Sequence, residues 1–344
     1  MSVADTALKA SLVIPCWNSG ETLARCLACV RAQTLEGFEA IFVDDGSTDA
    51  TATMLEEAAA VSSAIRVITL EHQGVSAARN AGLDAARGEF IFFADPDDAF
   101  SPEMLAKGVA AMEAEKADYC VFPYREKFED EADFHLVPLK GSCRFASNAE
   151  IVSDYMSRMF GYSAEHVRAW YAGRPLHAHR LQGGVWRCVY RRALIEARKV
   201  RFDERIALYE DALFNCEYML GATRMTCVAE PLYDYILSRR GAISRLRRGI
   251  CELTNKLELL RKRKALDSLA EGTLRPMYEC SCVFSLLEML KIVVTRRAPF
   301  REGLRLVRAY GKDEVVRAAL RTFPLSWRHP VLALAVWVLR MWFR

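Results

Sequence analysis

Histidine is scarce, 6 residues in 344, and none stands at ligand spacing to the 11 cysteines, which excludes a zinc-type site as an organising feature. The cysteines are odd in number and scattered. Cys26 and Cys29 fall on one face of an expected helix beside Leu23, and the set reads as reduced core thiols rather than a disulfide framework. No glycine-rich GxGxxG follows the first apolar strand and no Walker loop occurs, which argues against a dehydrogenase-type dinucleotide domain and a P-loop enzyme. No apolar run reaches the ~20 residues that a membrane-spanning helix needs. No basic-apolar-small leader precedes the first strand, so export is not expected. Acidic residues are scarce only in the last third. Residues 1 to 238 hold 24 Lys/Arg against 35 Asp/Glu, a net −11, whereas residues 239 to 344 hold 23 against 9, a net +14.

What is present begins with GEFIFFADPDD, residues 88 to 98. Phe90 to Ala94 is a nearly all-apolar run that reads as a strand buried on both faces. It leads directly into Asp95, Asp97 and Asp98. Open α/β sheets place their ligand crevice at such strand ends, and an extended Asp-x-Asp would turn the carboxylates of Asp95 and Asp97 to one side. Two hard oxygen ligands suit Mg²⁺ or Mn²⁺, with substrate phosphates completing the shell, so the pattern suggests a nucleotide diphosphate. The plainer reading is an acidic turn.

Upstream, Leu12 to Ile14 forms a strand ending at Pro15 and a polar turn, Trp17-Asn18-Ser19-Gly20, before a helix from about Glu21 to Gln33. A second strand, Ala40 to Val43, ends in Asp44-Asp45-Gly46-Ser47-Thr48-Asp49, where Ser47 or Thr48 would cap the next helix. Ile65 to Leu70, a helix from Gly74 to Ala86, the opening stretch, a helix to Glu115 and a strand from Asp118 to Phe122 continue a strict alternation. That pattern predicts a parallel α/β sheet, with three strands ending in ligand-capable residues at one edge.

These residues resemble a family-2 glycosyltransferase of the GT-A fold. The matching pieces are Pro15-Cys16-Trp17-Asn18, Val43 to Asp49, Gly74 to Gly82 (GVSAARNAG) and the DxD strand. The resemblance implies a Rossmann-like, mostly parallel sheet with helices on both faces. It also implies an inverting transferase that uses a UDP-sugar or related donor with a divalent cation, Mg or Mn. Pro15, Trp17, Asn18, Asp44, Asp45, Arg79 and Asp95 are then donor-binding candidates, and Asp97 with Asp95 the metal ligands. Trp17 is expected to stack on the base and Asp45 to accept from its ring N–H. Two departures stand out: Trp17 replaces the usual tyrosine or phenylalanine, and Pro96 stiffens the middle of the DxD.

From Phe128 to Arg180 the sequence is irregular, with His177 and His179, and an acceptor site is expected there. Gly183-Gly184-Val185-Trp186, Val189 to Arg192, Arg201 to Glu204 and Tyr209 to Phe214 then resemble family members that build surface polysaccharides. In these a Glu-Asp pair opens a helix beneath the acceptor, which makes Asp211 the catalytic base and Glu210 its neighbour. Ordinary helix first-turn acids are the plain alternative. After a strand near Met225 to Val228, Arg239 and Arg240 are candidates near the diphosphate, or else a solvated pair.

The expected division is a catalytic domain over 1–240, with a nucleotide-sugar half over 1–125 and an acceptor half over 126–240. A basic helical region over 241–344 completes it. Cys282 to Val294 and Val331 to Phe343 are too short to span a bilayer, and read as buried or interfacial helices. With Trp327, Trp337 and Trp342 beside arginines, the tail is expected to sit on the inner face of the cell membrane, burying Leu332, Val336, Leu339 and Phe343, near a lipid-linked or glycan acceptor. Nucleic acid is not an expected partner, because no such module occurs and the tail is apolar. Two other functions compete. A sugar nucleotidyltransferase would carry a basic glycine-rich loop, yet Pro15 to Gly20 holds no Lys or Arg. A non-catalytic nucleotide-sugar-binding protein would not need Asp45, Asp97 and Asp211.

Overall fold

The computed structural model describes residues 8–176, 183–238, 249–295 and 297–343. His177, His179, Arg239 and Arg240 lie outside the described residues. In chain order the first elements are β1 (Ala10–Cys16), α1 (Leu23–Arg31), β2 (Phe38–Asp45), α2 (Thr51–Ala60), β3 (Ile65–Leu70), α3 (Val75–Ala85), β4 (Phe90–Phe93) and β5 (Ala99–Phe100). Then come α4 (Met104–Ala114), β6 (Tyr119–Val121), β7 (Tyr124–Phe128), β8 (His135–Val137), α5 (Ala164–Tyr171), β9 (Cys188–Arg191), α6 (Arg192–Arg198), α7 (Glu210–Met219), β10 (Met225–Cys227) and β11 (Tyr233–Leu237). Five helices follow among the described residues: α8 (Ile250–Leu269), α9 (Arg275–Val294), α10 (Phe300–Gly311), α11 (Glu314–Thr322) and α12 (Pro330–Trp342).

These elements fall into two compact units. The first comprises the described residues within Met1–Tyr155, Gly183–Glu204 and Glu210–Arg239; the second those within Met156–Gln182, Arg205–Tyr209 and Arg240–Arg344. Residues 156–176 thus cluster with the carboxyl-terminal helices, whereas the sequence grouped them with the acceptor half.

The first unit is built on a seven-stranded sheet of order β10-β6-β9-β4-β1-β2-β3. All its strands are parallel except β9, which runs antiparallel to β4 and β6. Burial on both faces explains why Leu12 to Ile14, Ala40 to Val43 and Phe90 to Phe93 read as unbroken apolar runs. Leu12, Ile14, Phe42, Phe90 and Phe92 join a core with Leu23, Cys26, Leu55 and Met104 on one face. On the other face Phe93 meets Phe214 of α7 edge-on, ring centroids 5.9 Å apart, and α3 lies across β1. Gly82 makes that approach possible, since a Cβ there would stand 2.3 Å from the Val13 side chain. A four-stranded sheet, β5-β11-β7-β8, flanks the main one.

Three expectations need correction. The β7–β8 hairpin, Tyr124 to Val137, was hidden because its strands carry charged residues on exposed faces and show no apolar run. The α2 helix is not capped by Ser47 or Thr48; Asp49 Oδ1 accepts the Thr51 N–H at 3.0 Å instead. Asp95 to Asp98 is not extended. β4 stops at Phe93, and Asp98 N–H closes a turn onto the Asp95 carbonyl at 3.3 Å, with the fixed φ of Pro96 inside it.

In the second unit α9 is a core helix, with Tyr278, Cys282, Leu286, Met289 and Val293 buried along it, and it packs on α5, α8, α10 and α11. The apolar run Cys282 to Val294 therefore turns one face into the core, with Val294 at its end exposed. α12 buries Val336, Leu339 and Phe343 against its own unit, and Gly311 of α10 admits the Phe343 ring where a Cβ would stand 2.3 Å from it. Those three side chains are thus not available to a membrane, contrary to expectation. No helix among the described residues is long and apolar enough to cross one. The described cysteines are all free thiols, most of them buried.

Candidate active site

The loops after β1 and β2 are sewn together. Asn18 holds a left-handed φ of 49° and its Oδ1 accepts the Thr48 N–H at 2.8 Å, while its own N–H donates to Ser47 Oγ at 2.9 Å. Ser19 N–H donates to Thr51 Oγ1 at 2.8 Å and Gly20 N–H to Asp49 Oδ2 at 3.0 Å. Pro15 is buried one residue before the end of β1, paired with Val43. Asp44 Oδ1 accepts the Ser47 N–H at 3.2 Å, holding the DDGS turn.

Asp45, 2 % exposed, accepts the N–H groups of Gln73 and Gly74, each at 2.8 Å, and its Oδ2 lies 2.8 Å from His72 Nδ1. Its carboxylate thus anchors the chain entering α3. Trp17 is half exposed and stacks on His72, ring centroids 4.4 Å apart. The structure puts Trp17 and Asp45 at one edge, joined through a histidine that the sequence reading did not single out; its position just before the GVSAARNAG stretch was the available signal.

α3, so anchored, carries Arg79 to the centre of the site. The guanidinium is 3 % exposed and bridges the two halves of the chemistry. Nη2 reaches Asp95 Oδ1 at 3.0 Å, and Nη1 reaches Asp211 Oδ1 at 2.5 Å and Glu210 Oε1 at 3.3 Å. Phe202 lies beneath it, its centroid 5.3 Å away. Asn80 exchanges hydrogen bonds with the Phe202 backbone at 2.9 and 3.0 Å, which fixes that ring under the arginine.

The α7 helix that presents Glu210 and Asp211 is riveted one turn later by Asn215, fully buried. Its Nδ2 donates to Gly183 O at 2.8 Å, and its Oδ1 accepts from Tyr190 Oη at 2.6 Å and Tyr119 Oη at 2.9 Å. Residues four apart share a helix face, so Asn215 orients Asp211. Gly183 lies against α7 so closely that a Cβ would stand 2.6 Å from Ala212. The Val185 N–H points at Asp211 Oδ2 at 3.4 Å.

Burial, and then the Asp211 charge, push the Glu210 carboxyl up to about 8, so at neutral pH it keeps its proton. Burial also raises Asp211, but Arg79 opposes that and the Glu210 carboxyl donates to it. The pair therefore ionises first at Asp211, which suits it to accept a proton while Glu210 steadies it.

Asp95, Asp97 and Asp98 separate in role. Asp98 is fully buried, its Oδ2 accepting from Tyr233 Oη and its Oδ1 from the Ile236 N–H, each at 2.8 Å; it fastens β11 to the turn and is not open to a ligand. Asp97 is at the surface and has no ion pair among the described residues. Desolvation of its carboxyl, then the charge of Asp95, push it up to about 6. Arg25 braces the turn through the Asp97 and Asp98 carbonyls. An unneutralised carboxylate crowded by a second one fits a divalent cation, whose charge would relieve the repulsion. Two carboxylates do not make a closed site, and no group of three or more potential ligands occurs among the described residues.

An aromatic wall stands beside these carboxylates. Trp186 stacks on Tyr233 at 4.6 Å and on Tyr235 at 5.1 Å. Burial, then the charges of Asp95, Asp98, Asp97 and Asp211, raise the Tyr235 hydroxyl.

Residues 11–170 match the family model described as glycosyl transferase family 2. Among curated relatives, the Bacillus subtilis (strain 168) protein EpsH is 29% identical over 244 residues, 70% of this chain and 64% of that protein. EpsJ of the same organism, an uncharacterized glycosyltransferase by description, is 30% identical over 225 residues, 65% of this chain and 60% of EpsJ. The chain thus spans a little over three fifths of those two proteins. The succinoglycan biosynthesis protein ExoO of Rhizobium meliloti (strain 1021) is 29% identical over 296 residues, 83% of this chain and 79% of ExoO. Among solved structures, S. aureus TarS 1-349 in complex with UDP-GlcNAc aligns over 97% of this chain and 91% of its own with a TM-score of 0.61 at 19% identity, a likeness of fold.

Proposed function

Residues 11–170 are a glycosyl transferase family 2 domain, and on that premise we propose that the protein is an inverting, metal-dependent glycosyltransferase. It moves a sugar from a nucleotide-sugar, a UDP-sugar first among them, to a hydroxyl of a glycan or lipid-linked acceptor in surface-polysaccharide synthesis. The observation that supports this best is Arg79, which ties the DxD turn to the Glu210–Asp211 pair in one crevice.

In this reading the acceptor oxygen attacks the anomeric carbon from the face opposite the nucleotide. Its bond to that carbon forms as the carbon's bond to the diphosphate oxygen breaks, the electron pair leaving with the diphosphate, and Asp211 takes the hydroxyl proton. A divalent cation held by Asp97 and Asp95 would offset the charge on the leaving diphosphate. Trp17 offers its open face to the base, with His72 displaced or packed behind it. Arg239 and Arg240 stay candidates for the diphosphate. Catalysis belongs to 1–240, and the basic region 241–344 meets the inner face of the cell membrane.

The nucleotidyltransferase alternative is disfavoured by the loop after β1, whose Asn18, Ser19 and Gly20 N–H groups are already donated within the protein and cannot cradle a triphosphate. Thermal unfolding of the full chain against a panel of nucleotide-sugars, with and without Mn²⁺, tests the reading. UDP and a UDP-sugar with Mn²⁺ are expected to raise the melting temperature above other nucleotides. A panel in which no nucleotide-sugar shifts it would overturn the donor assignment.

A further inference from the structure

The second unit carries two rows of side chains that are unpartnered among the described residues. On α10 and its C-cap, Arg301, Arg305, Arg308 and Lys312 recur at helical spacing, all exposed. None of the four has an ion pair among the described residues, whereas other cations of the unit are matched, such as Lys256 with Glu288 and Lys264 with Asp313. On α12 and the turn before it, Trp327, Val331, Leu334, Val338 and Met341 recur at intervals of four and three, which sets them on one face. They are 45 to 95% exposed, opposite the buried Val336 and Leu339.

The cationic row ends at a cavity of about 520 Å³ lined by Arg308, Lys312, Arg317, Trp342 and Phe343, and Trp342 directly follows Met341, the last residue of the apolar row. The buried Nε of Arg317 has no hydrogen-bond partner among the described residues. A groove of about 440 Å³ continues from it along α10, past Phe300 and Leu304 to Arg301. Unmatched cations and an exposed apolar row in one unit, with the Trp342 indole at the cavity where the cations end, are complementary to one kind of partner: a surface whose anionic headgroups stand above acyl chains.

We propose that α10 and α12 form an anionic-lipid docking surface, the α12 row entering the headgroup–acyl boundary and the cavity at Arg308, Lys312 and Arg317 taking a lipid phosphate. This rests on the membrane-facing reading above and assigns its contact residues. It replaces the inward-facing Val336, Leu339 and Phe343 with the outward row.

Flotation of the full chain with phosphatidylcholine vesicles, with and without phosphatidylglycerol, tests it. Wild type is expected to float with the anionic vesicles only, and less at high salt. Reversing Arg301, Arg305, Arg308 and Lys312 to Glu should weaken binding by roughly two orders of magnitude, and Leu334→Ser with Val338→Ser should abolish it at low salt. Melting temperature and UDP binding in solution are expected to stay at wild-type values in both. Equal flotation with both vesicle types, or flotation indifferent to these variants, would overturn the site. A wild-type dimer that Leu334→Ser dissociates would overturn it too, by showing that a second copy covers the row. No flotation at all would sink the membrane reading itself, while UDP binding reports separately on the transferase reading.

Discussion

Replacing Asp211 with asparagine is expected to lower sugar transfer by about 10² to 10⁴ while leaving nucleotide-sugar binding in place, the usual scale for loss of a general base. Asparagine keeps an oxygen to accept from Arg79 and fills the same volume, so the crevice should persist. The pH profile gives a second handle. Burial raises Asp211, so the acidic limb of kcat/KM should lie above the ordinary carboxylate range, activity falling as pH drops through it. The Glu210 carboxyl, which keeps its proton up to about 8, donates to Asp211. Glu210→Ala should therefore move the limb to higher pH, and Glu210→Gln, which still offers an N–H, should leave it nearly in place. Turnover near wild type in Asp211→Asn would move the base elsewhere, to Glu210 first.

Arg79→Met should be the most disruptive single change in the first unit. The guanidinium is almost fully buried and faces three carboxyl groups, so its loss leaves charge uncompensated. Breaking a buried pair by removing one partner costs about 3 to 5 kcal/mol. Arg79 also holds Asp211 down, so the carboxyls that remain should take up protons more readily, and the transfer rate should fall even where the protein still folds. Arg79→Lys keeps one charge but cannot span Asp95 and Asp211 together, and is expected to recover stability in part with little recovery of rate. Urea unfolding beside single-turnover rates separates the two effects. A methionine variant within about 1 kcal/mol of wild type would show that the bridge carries little of the site's order.

Much of this site was legible in the residues. The apolar strands and their acidic ends could be read from period and position, as could the family resemblance of Asp45, Arg79, the DxD and Asp211. What could not be read were contacts far apart in sequence. Arg79 and Asp211 are 132 residues apart, and no local pattern announces that one hydrogen-bonds the other. Asp45 looked like a free acceptor for a base, yet its oxygens secure the entry to α3. Asp98 stands in the same acidic stretch as Asp95 and Asp97, yet Tyr233 and Ile236 take up both its oxygens. β9 had no signal for its antiparallel place between β4 and β6, because a strand buried on both faces reads alike in either direction. In α12 the apolar residues run nearly all round, so sequence could not say which face the protein keeps.

The claim beneath all of this is that the turn at Asp95 and Asp97 binds a nucleotide diphosphate through a cation. Calorimetric titration of UDP into the full chain with Mn²⁺ and with EDTA, for wild type beside Asp97→Asn, addresses it most directly. The account predicts binding about tenfold or more tighter with Mn²⁺, a difference that Asp97→Asn erases while the melting temperature holds. Equal UDP affinity in Mn²⁺ and EDTA would contradict it.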